Sequence, residues 1–362
     1  MKKIQFISLL LVLFLASCSS DDIEPTPLPS APGTMYFPPT DSNEWETVSS
    51  EVLGWNRTNE QQLFDYLASN GTKSFIVLKK GRIVYEKYFN GQTASDDWVW
   101  FSAGKTLTAT TIGIAQQENL LNINDKSSDY LGAGWTSLTT SQEEAITIKH
   151  QLSMSSGLDE TVNWACYTPS CFQYKAPVNT RWAYHQGAYT ILQDVVANAT
   201  STSFENYFAT KLKNPIGMDG SWFVLNDYHM YKSTARSMSR FGLLMLNEGV
   251  WSGNAILTDA NYFEEMTNTS QQMNKSYGYL WWLNGKESVM IAGDQNVYPS
   301  SLVPNAPADM FCALGYADQK IYVVPSKELV IIRQGEAVSG NNLAGSGFDN
   351  VLWGKINQVI TD

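Results

Sequence analysis

Beyond residue 58 the apolar positions recur with two periods, and each change of period marks a change of element. Asn59 to Ser69 puts Leu63, Phe64 and Leu67 on one face, which predicts a short amphipathic helix. Ser74 to Tyr88 is two β-rich runs about Lys80-Gly81 and predicts a hairpin. Leu107 to Ala115 carries no charge on any face, and a helix without a polar side belongs inside a domain. Asn122 to Asp129 is a polar turn, and Ile146 to Leu158 reads as a helix closed by Gly157. A loop spans 159–180. Helices are expected over Gly187–Ala197, Phe204–Leu212 and Ser233–Asn247, the last rich in Met238, Phe241, Leu243, Leu244 and Leu246. Past residue 275 the pattern returns to strands: Tyr277–Leu283, Met310–Leu314, then Lys320–Pro325 and Leu329–Arg333 about a turn. A final helix is expected from Phe348 to Ile360.

Strands at both ends with helices between them predict an α/β (α+β) chain with an antiparallel sheet flanked by helices and an inserted, mostly helical domain. The sheet lobe takes about 51–100 and 270–362, the helical lobe about 101–269, within a catalytic-sized body of 51–362. Two such lobes leave a cleft where they meet.

The N-terminus follows another logic. Met1-Lys2-Lys3 precedes an apolar run from Ile4 to Ala16 that is too short to span a bilayer. It ends in Leu15-Ala16-Ser17-Cys18, a bacterial lipobox, so residues 1–17 are expected to be a signal peptide and Cys18 a lipidated anchor. Residues 18–50, with Pro25, Pro27, Pro29, Pro32, Pro38 and Pro39, read as an extended tether. The expected setting is the bacterial cell envelope, with Cys18 the one link to a membrane. Loss of Lys2 and Lys3 with the leader takes the formal charge from -11 to -13. Such an acidic body argues against nucleic acid as a partner.

Export permits a disulfide. Cys166 and Cys171 can close a small loop and leave Cys312 free and buried; the spacing leaves open whether they are joined. The histidines His150, His185 and His229 show no metal-ligand spacing with the cysteines, so no metal site is expected, and no organic cofactor.

Chemistry concentrates just before the uncharged run. Ser102-Ala-Gly-Lys105 is the one Ser-x-x-Lys in the sequence. It sets a hydroxyl at the start of a buried helix and an amine one turn later on the same side. A serine is a weak nucleophile until a base takes its proton, and lysine is such a base only when burial holds its amine neutral. A cap serine followed by a surface lysine has the same letters, so the surroundings must decide.

Those surroundings resemble a family. Val77-Leu-Lys-Lys-Gly-Arg-Ile-Val-Tyr-Glu, Ser102-Ala-Gly-Lys, Ile146-Thr-Ile-Lys-His-Gln-Leu, Ser155-Ser-Gly-Leu, Tyr184, Ile216-Gly-Met, Arg240-Phe-Gly-Leu-Leu-Met-Leu-Asn, Tyr277-Gly-Tyr-Leu-Trp-Trp and Gln319 to Pro325 follow one another in order. Together they resemble the serine β-lactamase-related superfamily on its class C and penicillin-binding-protein-like side. The chain is most similar to the esterases and 6-aminohexanoate-dimer hydrolases of that group, over about residues 60–360. The resemblance implies a β-lactamase/transpeptidase-like fold with Ser102 as nucleophile, Lys105 as its base and Tyr184 as proton relay. In Tyr184-His185-Gln186, glutamine stands where the family has asparagine, and His185 is a cleft neighbour. Counting back from Pro325 puts the third motif on Met310-Phe311-Cys312, without its usual cation, and Ala313 as second oxyanion donor beside the Ser102 N–H. Trp100, Asn163, Trp164, Gln186, Tyr277 and Trp281 are candidates for binding substrate.

The activity this implies is hydrolysis of a small ester or amide through an acyl-enzyme. Two alternatives are a cell-wall D-peptide or β-lactam hydrolase (DD-peptidase, D-aminopeptidase or β-lactamase) and a catalytically silent binding lipoprotein. Oligomeric state leaves no signature in the sequence.

Overall fold

The computed structural model describes residues 33–163, 166–225, 227–338 and 347–361. The expected leader and Cys18 lie outside the described residues. The described residues form eleven strands: β1 (Thr72–Lys79), β2 (Arg82–Tyr88), β3 (Trp98–Val99), β4 (Ser221–Leu225), β5 (Tyr228–Ser233), β6 (Val250–Trp251), β7 (Asn254–Ala255), β8 (Trp282–Leu283), β9 (Phe311–Gly315), β10 (Gln319–Val324) and β11 (Leu329–Gly335). The main sheet has the order β2-β1-β11-β10-β9-β8, antiparallel throughout.

Alternation along β10 shows how this sheet is covered. Ile321 faces the Ala235–Leu246 helix, where Gly242 lets the helix backbone close on Val330; a Cβ there would stand 2.5 Å from Val330 Cγ1. The next residue, Tyr322, points the other way and packs on Trp353 of the Gly347–Val359 helix. With helices on both faces, β9, β10 and β11 are buried at every position, which explains their unbroken apolar character.

The Lys105–Gln117 helix is buried from Lys105 to Ala115, as its uncharged sequence requires. Its threonines are accommodated because their hydroxyls donate back along the helix: Thr106 to Ala103 O, Thr110 to Thr106 O and Thr111 to Leu107 O.

Several elements differ from the sequence expectation. Ile146–Leu158 contains a helix only at Ile148–Leu152, because Met154 takes a left-handed conformation before Gly157 is reached. Tyr277–Leu283 is not one strand. Leu280 is left-handed, Gly278 N donates to Trp281 O, and Tyr277 pairs with Trp282 across a tight turn, so only Trp282–Leu283 joins the sheet. The Phe204–Phe208 helix passes into a wider turn at Ala209–Lys213. Two strands, β4 and β5, stand within the stretch expected to be mostly helical and form a three-stranded sheet with β3, in the order β3-β5-β4.

The tether expectation needs correction for its described part. Tyr36 N donates to Lys80 O, Trp45 Nε1 donates to Gly81 O at 2.7 Å, and Thr47 bridges Ile83. Buried Arg240 donates to the carbonyls of Pro38, Pro39 and Ser42 and lies over the Trp45 ring. A proline segment lacks N–H groups for a ladder, but its carbonyls still need donors, and one guanidinium supplies several. No helix among the described residues is long and apolar enough to cross a membrane.

Candidate active site

The site begins where β3 ends. Trp100 N donates to Tyr231 O, Phe101 takes a φ of 49°, and a 3-10 turn over Phe101–Gly104 leads into the Lys105–Gln117 helix. A left-handed phenylalanine costs about 1–2 kcal/mol, and it turns half-buried Ser102 out of the strand direction beside the buried amine of Lys105. Lys105 Nζ is hydrogen-bonded to Ser102 Oγ at 2.8 Å and donates to Gln186 Oε1 at 2.6 Å. It lies 4.2 Å from the centre of the Tyr189 ring and 4.8 Å from that of Tyr184. Burial alone acts on the amine and holds it well below the ordinary lysine range.

Tyr184, Gln186 and Tyr189 arrive together on one short segment. Ala183 N donates to Met154 O, and His185 caps the Gln186–Thr190 helix by accepting the Ala188 N–H on Nδ1 at 3.1 Å. His185 is therefore a buried cap rather than a cleft wall, and burial lowers its imidazole to about 4. The Tyr184 hydroxyl hydrogen-bonds Ser102, while burial raises its pKa, so it stands as a neutral phenol beside the nucleophile. Its ring stacks on Trp282 at 6.0 Å.

The structure thus brings Ser102, Lys105, Tyr184 and Gln186 into one cluster. It sorts the aromatic candidates differently from the sequence. Trp100 is completely buried, donates to Ser233 Oγ at 2.8 Å and packs on Tyr231 and Phe241. Trp281 is buried between Phe241 and Phe311. Both belong to the core, where an indole contributes most by area. Tyr277 is buried behind Tyr184 against Trp182 and Trp282, its hydroxyl without a hydrogen-bond partner among the described residues. Asn163 is exposed on its loop, and Trp164 lies outside the described residues.

Ala313 also needs correction. It is buried and paired with Ile321 of β10. The residue of β9 that meets the Ser102 turn is Gly315: a Cβ there would stand 2.2 Å from Trp100 O and 3.2 Å from Ala103 N. The close approach is open because β8 covers only Phe311 and Cys312, leaving the later part of β9 free along that edge. Next to Gly315, exposed Tyr316 sets its ring edge against Phe101 at 5.4 Å. Neither Ala313-Leu314-Gly315, which ends at this contact, nor Met310-Phe311-Cys312, where the third motif was expected, carries a cation. Behind it, buried Lys320 pairs with Asp349 at 2.8 Å and with Asp318 at 3.2 Å, so that charge is engaged beneath the sheet.

Tyr189 and Gly315 were not singled out from sequence. Tyr189 carried a signal, since it lies three residues after Gln186 on the same helix face. Cys166 and Cys171 are joined, and the loop they close lies on the Gln186–Thr190 helix, where a Cβ on Gly187 would meet Cys166 O at 2.3 Å. Cys312 is free and buried. No group of three or more His, Cys, Asp or Glu residues among those described could hold a metal ion.

A search of curated proteins found no match. Among solved structures, a proposed 6-aminohexanoate-dimer hydrolase from Bacillus anthracis is similar with a TM-score of 0.65 at 19% identity, covering 86% of each chain. A family VIII carboxylesterase gives a TM-score of 0.63 at 15% identity, covering 83% of this chain and 96% of its own. A class C β-lactamase from Rhodobacter sphaeroides gives 0.60 at 13% identity, over 84% and 98%. At these identities the likeness is one of fold, the β-lactamase/transpeptidase fold. The sequence model of the Beta-lactamase family matches residues 64–336, and the chain belongs to that family.

Proposed function

We propose that this protein is a serine hydrolase that cleaves carboxylic esters or simple amides through an acyl-enzyme on Ser102. The observation that carries the reading is the buried amine of Lys105, 2.8 Å from Ser102 Oγ and lowered by burial, with no carboxylate among the described residues to hold it protonated. Ser102 Oγ attacks the substrate carbonyl as its proton passes to Lys105. That proton then passes to the leaving group by way of Tyr184, which gives up its phenol proton as it regains one from Lys105, and the Ser102 N–H with an N–H from the Gly315 end of β9 faces the oxyanion. Water then attacks the ester and the proton path runs in reverse. This scheme uses only side chains and backbone of the chain.

Esters are favoured because β9 presents no cation to anchor an anionic substrate, and because an ester leaving group needs less help from an acid than an amine does. Similarity to the family VIII carboxylesterase is in keeping with this. The cell-wall D-peptide or β-lactam reading draws on structural likeness to penicillin-binding-protein homologues, such as one from Caulobacter crescentus. We also propose that the lipobox at Cys18 anchors the hydrolase in the cell envelope, its one link to a membrane.

The test is p-nitrophenyl butyrate hydrolysis by protein lacking residues 1–22, beside its Ser102→Ala variant. Turnover by the first and not the second is expected. Equal turnover by both overturns Ser102 as nucleophile. Rapid turnover of a chromogenic cephalosporin would move the substrate to β-lactams, and failure of a fluorophosphonate to label Ser102 would favour the silent lipoprotein.

A further inference from the structure

Lys105 has a neighbour that the proton-transfer scheme does not use. Tyr189 is completely buried, its ring centre is 4.2 Å from Nζ, and its hydroxyl donates to His229 O at 3.1 Å. His229 is in turn held through Nδ1 by Gln193 at 2.8 Å. The ring is thus pinned from its far end and presents its face to the amine.

A neutral amine has two N–H bonds and one lone pair, and only the lone pair can take the Ser102 proton. Three kinds of neighbour surround Nζ: the Gln186 carboxamide oxygen at 2.6 Å, the faces of Tyr189 and Tyr184, and the Ser102 hydroxyl at 2.8 Å. The oxygen and the π-faces attract N–H and repel a lone pair; among the three, only the hydroxyl can donate. Two N–H bonds directed at Gln186 and the rings leave the lone pair on Ser102.

We propose that Tyr189 is a positioning residue for the Lys105 base, its ring face and the Gln186 oxygen together turning the amine lone pair towards Ser102. The inference rests on the roles of Ser102 and Lys105 given above and goes beyond them. Gln186 and Tyr189 lie three apart on one helix, so a single short element carries both orienting groups.

The same ring stabilises the protonated amine through its quadrupole. Facing Nζ are the Ser102 hydroxyl, the Gln186 amide and the Tyr184 and Tyr189 rings, with the buried Tyr277 phenol behind Tyr184; no carboxylate among the described residues acts on it. Removing the ring therefore disfavours the ammonium form and moves the acid limb of reactivity to lower pH, while the rate above the limb falls because the lone pair is no longer directed. A packing role alone would leave the limb where it is.

The experiment measures the rate of Ser102 labelling by a fluorophosphonate against pH, which requires no natural substrate. The proteins are wild type, Tyr189→Leu, Tyr189→Met and Tyr189→Phe, with Ser102→Ala as the blank. Methionine is the second ring-free side chain because it adapts to the vacated space if leucine prevents folding. Expected are a plateau rate at least about tenfold lower in the ring-free variants, a limb displaced to lower pH, and recovery of both by phenylalanine. Wild-type behaviour of a folded ring-free variant overturns the inference, as does equal loss in Tyr189→Phe, which would assign the effect to the hydroxyl. Absence of labelling in the wild type overturns the serine-hydrolase reading and this inference with it, so the two failures are distinct.

Discussion

Lys105 Nζ donates to the carboxamide oxygen of Gln186 across 2.6 Å, and the two residues are 81 positions apart. A buried lysine more often meets a carboxylate, which would keep it charged and useless as a base. An amide oxygen satisfies the same N–H while adding no negative charge. The pair therefore holds the amine in place without taking away its basicity.

Replacement of Gln186 by Leu should lower ester hydrolysis by roughly 10–100-fold, the effect of losing about 1.5–3 kcal/mol from one hydrogen bond to the base. The sign of the pH dependence follows from burial. Lys105 acts when neutral, so activity is present above its folded pKa and is lost as pH falls through it. Burial holds that pKa well below 10.5, so the limb lies below the ordinary lysine range. The unfolded chain binds the proton more tightly, so the Lys105 contribution to stability rises with pH between its folded pKa and 10.5. Rate profiles and urea melts across pH, each beside Lys105→Met, check both signs; an increase in activity towards acid pH contradicts the assignment of Lys105 as base.

Gly315 should tolerate no side chain. A Cβ would press on Trp100 O, so Gly315→Ala must move β9 away from the Ser102 turn, at about 1–3 kcal/mol of stability and with most of the activity. Ala313→Gly, two residues back and facing β10, should keep its activity per folded molecule. Parallel measurement of fluorophosphonate labelling and thermal melting separates the two positions. Full activity in a folded Gly315→Ala variant would show that the close approach of β9 to the Ser102 turn is not needed for the reaction.

Residues 33–48 should behave as part of the folded body. A protein starting at residue 33 is expected to melt like one starting at residue 23. One starting at residue 49 leaves buried Arg240 without the Pro38, Pro39 and Ser42 carbonyls and should lose about 2–4 kcal/mol. Urea denaturation of the three checks this, and equal midpoints would return the segment to the role of a plain tether.

How much of this was legible beforehand depended on the range of the interaction. The nine residues from Leu107 to Ala115 could only be a buried helix, because an uncharged run has no face to give to water. That sufficed to bury Lys105 beside Ser102, since their spacing is one helical turn. The β1–β2 and β10–β11 hairpins were likewise local, written in period and turn residues. The pattern at 146–158 and 277–283 misled because single left-handed residues, Met154 and Leu280, end elements that periodicity would continue.

What tertiary structure decided was which distant groups meet. Tryptophans look alike in sequence whether they face a cleft or the core, and only packing sent Trp100 and Trp281 inward. Gly315 rather than Ala313 meets the Ser102 turn because β8 is short and leaves that edge of β9 open. Gln186 and Tyr189 reach Lys105 only after the chain returns from beyond the Cys166–Cys171 loop. Periodicity along a chain records how much water each position can see, which is a local property. The identity of a neighbour across the core is a property of the whole fold, and the orientation of the base depends on it.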